Sequence, residues 1–236
     1  MKGFSVKILF VMAAVMLFGS LDADAKKRVL KISVVPSDAQ ISVDGNYVGD
    51  GVVEVTLDKS DFIAIKLEKE GYLTQENKFY RSDKRNAISY TMRPDKFWEA
   101  SVPSGLVNKF FSVKVSPDYY TKDENGKIDP DRAWKLIHQI LLNYFDEMQT
   151  TDLSSGFIQT PWEYERFSES RQAVRTRVTV KQSGISEDEL IFQIKISSEE
   201  APLVGMSNES SYREVVRILK KFEPLISEFQ SRMSKN

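Results

Sequence analysis

The sequence has no cysteine and a single histidine, His138. The first absence excludes a disulfide scaffold, a thiol nucleophile, an iron–sulfur cluster and lipid attachment through an N-terminal cysteine. The second leaves no histidine set for a zinc centre. Charge of one sign is also lacking. Lys and Arg number 33 against 34 Asp and Glu, a formal net charge of −1. Such a chain has no basic footprint for nucleic acid. No Gly-x-Ser-x-Gly elbow, His-Glu-x-x-His pair or glycine-rich phosphate loop is present. Local pattern therefore offers no catalytic residue, no cofactor and no metal centre.

Long apolar runs are scarce too. The one from Ile8 to Phe18 falls well short of the roughly twenty residues a membrane-spanning helix needs. Lys2 and Lys7 precede it, Gly19 and Ser20 break it, and Ala23-Asp24-Ala25 supplies a small-x-small cleavage site. That order is the order of a secretory signal peptide. Residues 1–25 are expected to be removed after Ala25, which leaves no transmembrane span. The mature protein is then periplasmic or on the cell surface, where a cysteine-free chain avoids wrong disulfides.

From Val29 to Met92 the apolar residues recur with period two. Leu30, Ile32 and Val34 come first, then Ile41 and Val43, then Val53, Val55 and Leu57. Ile63, Ile65 and Leu67 follow, and Ile88, Tyr90 and Met92 close the series. Alternation of this kind marks half-buried strands. Between them lie turn residues: Pro36-Ser37-Asp38, Asp44-Gly45-Asn46, Gly49-Asp50-Gly51 and Glu70-Gly71-Tyr72. Short strands at this spacing predict a small β-sandwich over residues 26–95. The run Val35-Pro36-Ser37-Asp38-Ala39-Gln40-Ile41-Ser42-Val43-Asp44-Gly45-Asn46-Tyr47-Val48-Gly49, with Lys69-Glu70-Gly71-Tyr72 later, resembles a PEGA domain over residues 28 to 93. Ser37-Asp38 stand where that family's name motif has Glu-Gly. The resemblance implies a surface-exposed β-sandwich without catalytic residues, of a kind often attached to envelope proteins.

A second module, α+β, is expected over 96–236. Phe111, Val113 and Val115 alternate as a strand. Asp129 as cap and Pro130 at the first helical position open a helix whose apolar stripe runs Trp134, Ile137, Leu141, Tyr144, Phe145 and Met148. Phe157 to Trp162, Val174 to Val180 and Leu190 to Ile196 read as three strands. A C-terminal helix is expected from the Ser211-Tyr212-Arg213-Glu214 capping box through Phe229, kinked by Pro224 inside it. The fold class is thus all-β plus α+β: a small sandwich, then an antiparallel sheet packed against two helices. Gly156-Phe157-Ile158-Gln159-Thr160-Pro161-Trp162 and Arg175-Thr176-Arg177 make residues 106–232 resemble the helix-grip domains of a lipoprotein subunit of the outer-membrane β-barrel assembly complex.

Four residues are candidates for partner binding: Arg175, Arg177, Trp162 and Trp98. Arg175 and Arg177 should share one face of a strand, opposite Val174 and Val178, as a solvated salt-bridged surface or as a dock for an acidic partner. Trp98 and Trp162, with Tyr80, could stack on sugars. His138 would need a nucleophile and an orienting acid before it could act as a base. Asp123, Glu124, Asn125 and Asp129 offer oxygens without the spacing of a calcium loop. The expected function is a non-catalytic cell-envelope protein that works by protein–protein contact or as a surface scaffold. A carbohydrate- or peptidoglycan-binding module is the alternative, and an envelope hydrolase the second. The partner is an envelope protein or a cell-wall glycan. The oligomeric state is not legible.

Overall fold

The computed structural model describes residues 28–58, 60–185 and 189–234. The expected signal peptide lies outside them. Among the described residues no helix is long and apolar enough to cross a membrane. Packing divides the described chain into two units, 28–67 with 75–91 and 68–74 with 92–234.

The first unit consists of strands β1 (Arg28–Val35), β2 (Gln40–Val43), β3 (Asn46–Asp50), β4 (Val52–Leu57), β5 (Phe62–Glu68), β6 (Gln75–Tyr80) and β7 (Ala87–Thr91). They form a three-stranded sheet, β4-β1-β7, and a four-stranded sheet, β3-β2-β5-β6. β1 runs antiparallel to β4 and parallel to β7. The period-two residues point inward as expected: Leu30, Ile32, Val34, Ile41, Ile63, Ile65, Leu67 and Ile88 are all buried. Each such side chain contributes about 1.5–3 kcal/mol on leaving water.

The hairpin signal at Asp44-Gly45 is realised with φ of 49° and 82°, the positive values of a type I′ turn. Gly51 is more constrained. At φ +64°, a Cβ there would lie 2.0 Å from the Ser37 carbonyl oxygen. Its N–H donates to Ala39 O at 2.9 Å and its carbonyl accepts from Val34 N at 2.7 Å. β3 and β6 were not expected. β6 reads Gln-Glu-Asn-Lys-Phe-Tyr and buries Phe79 alone, so it carries no alternation to detect.

The second unit is organised on a long hairpin, β15 (Gln172–Ile185) and β16 (Leu190–Pro202). Two strands share the outer flank of β15. β13 (Phe157–Gln159) pairs with Thr179 to Lys181, and β14 (Glu163–Phe167) pairs with Gln172 to Thr176. Two strands share the flank of β16 in the same way: β9 (Phe110–Lys114) and β17 (Arg213–Glu214). β12 (Thr150–Asp152) adds to β13 and completes seven strands. A small hairpin of β10 (Thr121–Lys122) and β11 (Ile128–Asp129) leads into helix α2 (Asp131–Leu142). Even-numbered residues of the long hairpin (Val174, Val178, Val180, Phe192, Ile194, Ile196) face a core shared with α2 and with helix α3 (Glu223–Met233). Helix α1 (Lys96–Ala100) leads into β8 (Ser101–Pro103), which pairs with β18 (Arg217–Leu219).

Both predicted helices need correction. α2 starts one residue later than expected, with Pro130 at the cap position; the Asp129 carboxylate still accepts from Asp131 N at 3.0 Å. It ends at Leu142 rather than Met148. Asn143 N–H turns back to Ile140 O at 3.2 Å and Tyr144 N–H to Leu141 O at 3.0 Å, three-residue closures that tighten a last turn. Phe145 reaches the core from beyond the helix and stacks on Phe222 at 5.2 Å.

The C-terminal helix begins only at Glu223, with Pro224 in its first turn, where the missing N–H costs nothing. Residues 213–214 and 217–219 are strands instead, because β17 and β18 take up edges of two sheets. The pair Val215-Val216 that joins them is β-branched, which lowers its helix propensity.

Candidate functional site

The odd-numbered residues of the long hairpin face away from α2 and α3. Along β15 they are Arg175, Arg177, Thr179 and Lys181; beside them on β16 lie Glu199, Ser197, Lys195 and Gln193. The sequence at Thr160-Pro161-Trp162 shapes one edge of this face. Pro161 cannot donate to a ladder, so the flank of β15 is broken into β13 and β14. The gap is closed by a side chain: Val178 N donates to Thr160 Oγ1 at 2.9 Å, and Thr160 N donates to Val178 O at 3.0 Å. Thr160 is fully buried. The break turns Trp162 over the strand, where its ring meets Arg175 at 4.1 Å and Arg177 at 4.2 Å.

Arg175 is the centre of this cluster and only 4% exposed. Its guanidinium also lies 3.7 Å from the Tyr212 ring. Nε donates to Glu199 at 2.9 Å and Nη1 to Glu209 at 2.8 Å. Burial alone would favour its neutral form, but the hydrogen bonds to Glu209 and Glu199 outweigh that and raise its pKa. The same contact holds the Glu209 carboxyl below its usual range. Tyr164 packs edge-on against Tyr212 at 6.4 Å. Arg175 thus ties the segment 203–212 onto the sheet, and the expected solvated face does not extend to it.

Arg177 differs. It is half-buried, rests on Trp162 and makes no ion pair among the described residues. Two places along, Lys181 lies 4.1 Å from the ring of Phe110, which is 45% exposed. Lys195 sits between them across the ladder, 3.4 Å from Glu214. An outward sheet face carrying cations on aromatic rings is the result.

Trp98 belongs to another cluster. Arg217 lies 3.5 Å from its ring and donates from Nη2 to Ser101 O at 2.8 Å and from Nε to Ser101 Oγ at 2.9 Å. Burial lowers the pKa of Arg217. On another side the Gly71 backbone approaches so closely that a Cβ would lie 3.1 Å from the indole. Tyr80 stays exposed in the first unit, 5.8 Å from Phe62.

Elsewhere the chemistry is sparse. His138 Nδ1 contacts Trp134 O at 2.9 Å and Nε2 lies 3.5 Å from Thr151 Oγ1; among the described residues no carboxylate bonds to it. Asp123 Oδ1 accepts from Asn125 N at 2.9 Å and Lys127 N at 2.8 Å, so that carboxylate shapes its own turn. Among the described residues no group of three or more metal-binding side chains occurs. The structure brings Trp162, Arg175 and Arg177 together and leaves Trp98 apart. Sequence reasoning missed Tyr212, Glu199, Glu209 and Lys181. Only Lys181 carried a signal, being the next residue but one after Thr179 on the same strand face.

Comparison with known proteins adds one assignment. Residues 28–95 match the family model of the PEGA domain. The PEGA match covers the whole first unit and also the segments 68–74 and 92–95, which pack with the second. No curated protein and no solved structure matches the chain. The likeness of residues 106–232 to helix-grip domains finds no support there.

Proposed function

We propose that this is an exported, non-catalytic cell-envelope protein that works by protein–protein contact. PEGA domains are typical of exported proteins, and the order of residues 1–25 fits cleavage after Ala25. The second unit supplies the docking surface: the outward face of its seven-stranded sheet receives an acidic stretch of a partner protein. One observation carries this reading. Arg177 and Lys181 stand on that face without ion-pair partners among the described residues, each held against an aromatic ring. Cations so placed steer and orient an acidic partner. Trp98 and Trp162, two of the three residues considered for sugar stacking, already carry guanidinium groups on their rings, so protein contact is favoured over glycan binding.

The test is charge reversal at Arg177 and Lys181 together, followed by pull-down from envelope extract. A band captured by the parent and lost with the double variant is expected, and that loss should be reproduced by raising salt. Capture unchanged by both treatments rejects the docking face.

A further inference from the structure

A cleft of about 830 Å³ opens within the second unit, at the Arg171–Pro202 end of the long hairpin. Its floor is a row of three side chains on adjacent strands: Gln172 of β15, Glu200 of β16 and Arg213 of β17. Glu200 and Arg213 are directly opposite in the β16–β17 ladder, and the Gln172 amide donates to the Glu200 carboxylate. Asp95, whose side chain caps α1 by accepting from Phe97 N at 2.9 Å, lines a wall with Tyr72. Arg171, at φ 54°, lines another.

The charges of this cleft do not satisfy one another. Neither Glu200 nor Asp95 makes an ion pair among the described residues, and neither do Arg171 and Arg213. Glu200 is half-buried, and burial together with the nearby Asp95 raises its pKa. An anionic ligand would leave the two carboxylates facing each other, and a cationic one would leave the two guanidiniums unused. A zwitterion answers both sets. The volume lies in the range of about 300–1,000 Å³ usual for small-ligand sites, and a single amino acid would occupy only a fraction of it. Hydroxyls of Ser210 and Ser211 in the lining suit peptide groups.

We propose that this cleft binds a short peptide with free ends, its ammonium group against Glu200 and its terminal carboxylate against Arg171, whose carbonyl accepts from Leu203 N, three residues beyond Glu200. The site is distinct from the docking face, since neither Arg177 nor Lys181 lines it.

Saturation-transfer NMR on the full chain tests it, with equimolar random tripeptides in three forms: free-ended, N-acetylated only, and C-amidated only. The free-ended mixture should give transfer, and each blocked mixture should bind about tenfold more weakly, the loss of one charge-assisted hydrogen bond. Glu200→Gln should erase the penalty for acetylation alone, and Arg171→Gln the penalty for amidation alone. Circular dichroism and melting of both variants confirm that they fold. Absence of transfer from the free-ended mixture, equal binding of all three mixtures, or variants that discriminate as the parent does would each overturn the proposal.

Discussion

Replacing Arg175 by Met should weaken the second unit far more than the same change at Arg177, although the two residues lie on one strand face. Met keeps the apolar stem of Arg175 and removes its charge. Lost are two ring contacts, at 3.7 Å to Tyr212 and 4.1 Å to Trp162, worth about 0.5–2 kcal/mol each. Lost as well is the pairing of Glu199. Breaking a buried ion pair costs about 3–5 kcal/mol, but the Glu199 side chain is 20% exposed, so water offsets much of that. Glu209 is solvated and is left out of the sum. The net expectation is about 3 kcal/mol, or roughly 6–12 °C in Tm for a unit of this size. Arg177→Met removes one ring contact at 4.2 Å and should cost about 0.5–1 kcal/mol. Urea unfolding followed by tryptophan fluorescence measures both, because Trp162 reports on the cluster. Variants that agree within about 0.5 kcal/mol would refute the clamp, since a difference that small is within ordinary surface effects.

Three further outcomes are expected. Thr160→Val leaves the Val178 N–H without its acceptor in a buried gap, a loss of about 1–3 kcal/mol, whereas Thr160→Ser retains the oxygen; equal stability of the two in urea would discount the side-chain closure. Gly51→Ala forces a Cβ toward the Ser37 carbonyl at a left-handed φ and should cost more than about 2 kcal/mol; a calorimetric scan with an unshifted first-unit transition would contradict it. Tyr144 donates to Glu228 at 2.7 Å, and burial together with that bond raises its pKa to about 12. The raised value means the neutral phenol is favoured in the folded state, so this contribution is complete below pH 10 and declines as pH climbs toward 12. Tyr144→Phe should flatten that part of the stability curve, as followed by urea midpoints across the range.

The faces of the strands were legible in the sequence, and the covering of those faces was not. Period two placed Val174, Val178 and Val180 inward and Arg175 and Arg177 outward, as the ladder requires. It could not show that Arg175 would be buried, because the covering groups arrive from Glu209, 34 residues away, and Tyr212. Tyr212, Val215, Val216 and Leu219 also fit a helical stripe, and a short segment that satisfies two periods is decided by its neighbours. Here the neighbours were open sheet edges on β16 and β8. The first unit was legible almost throughout because its turns carry glycine at positive φ; of the exceptions, β3 exposes nearly every side chain and β6 turns the polar Gln75 and Asn77 inward beside Phe79. The cleft at Glu200 was beyond sequence reading, since its floor on three successive strands is walled by Tyr72 and Asp95, about a hundred residues earlier in the chain.

The pairing of β8 with β18 has a bearing on biosynthesis. Arg217 bonds Ser101 across 116 positions, so β8 lacks its strand partner until that much more polypeptide has been made. At elongation speeds of about 5–20 residues per second the delay is on the order of ten seconds. Val102, packed against the core once the unit is assembled, has no partner in Ile218 for that interval. Closure of this two-stranded sheet is therefore among the last steps open to the second unit as it is synthesised.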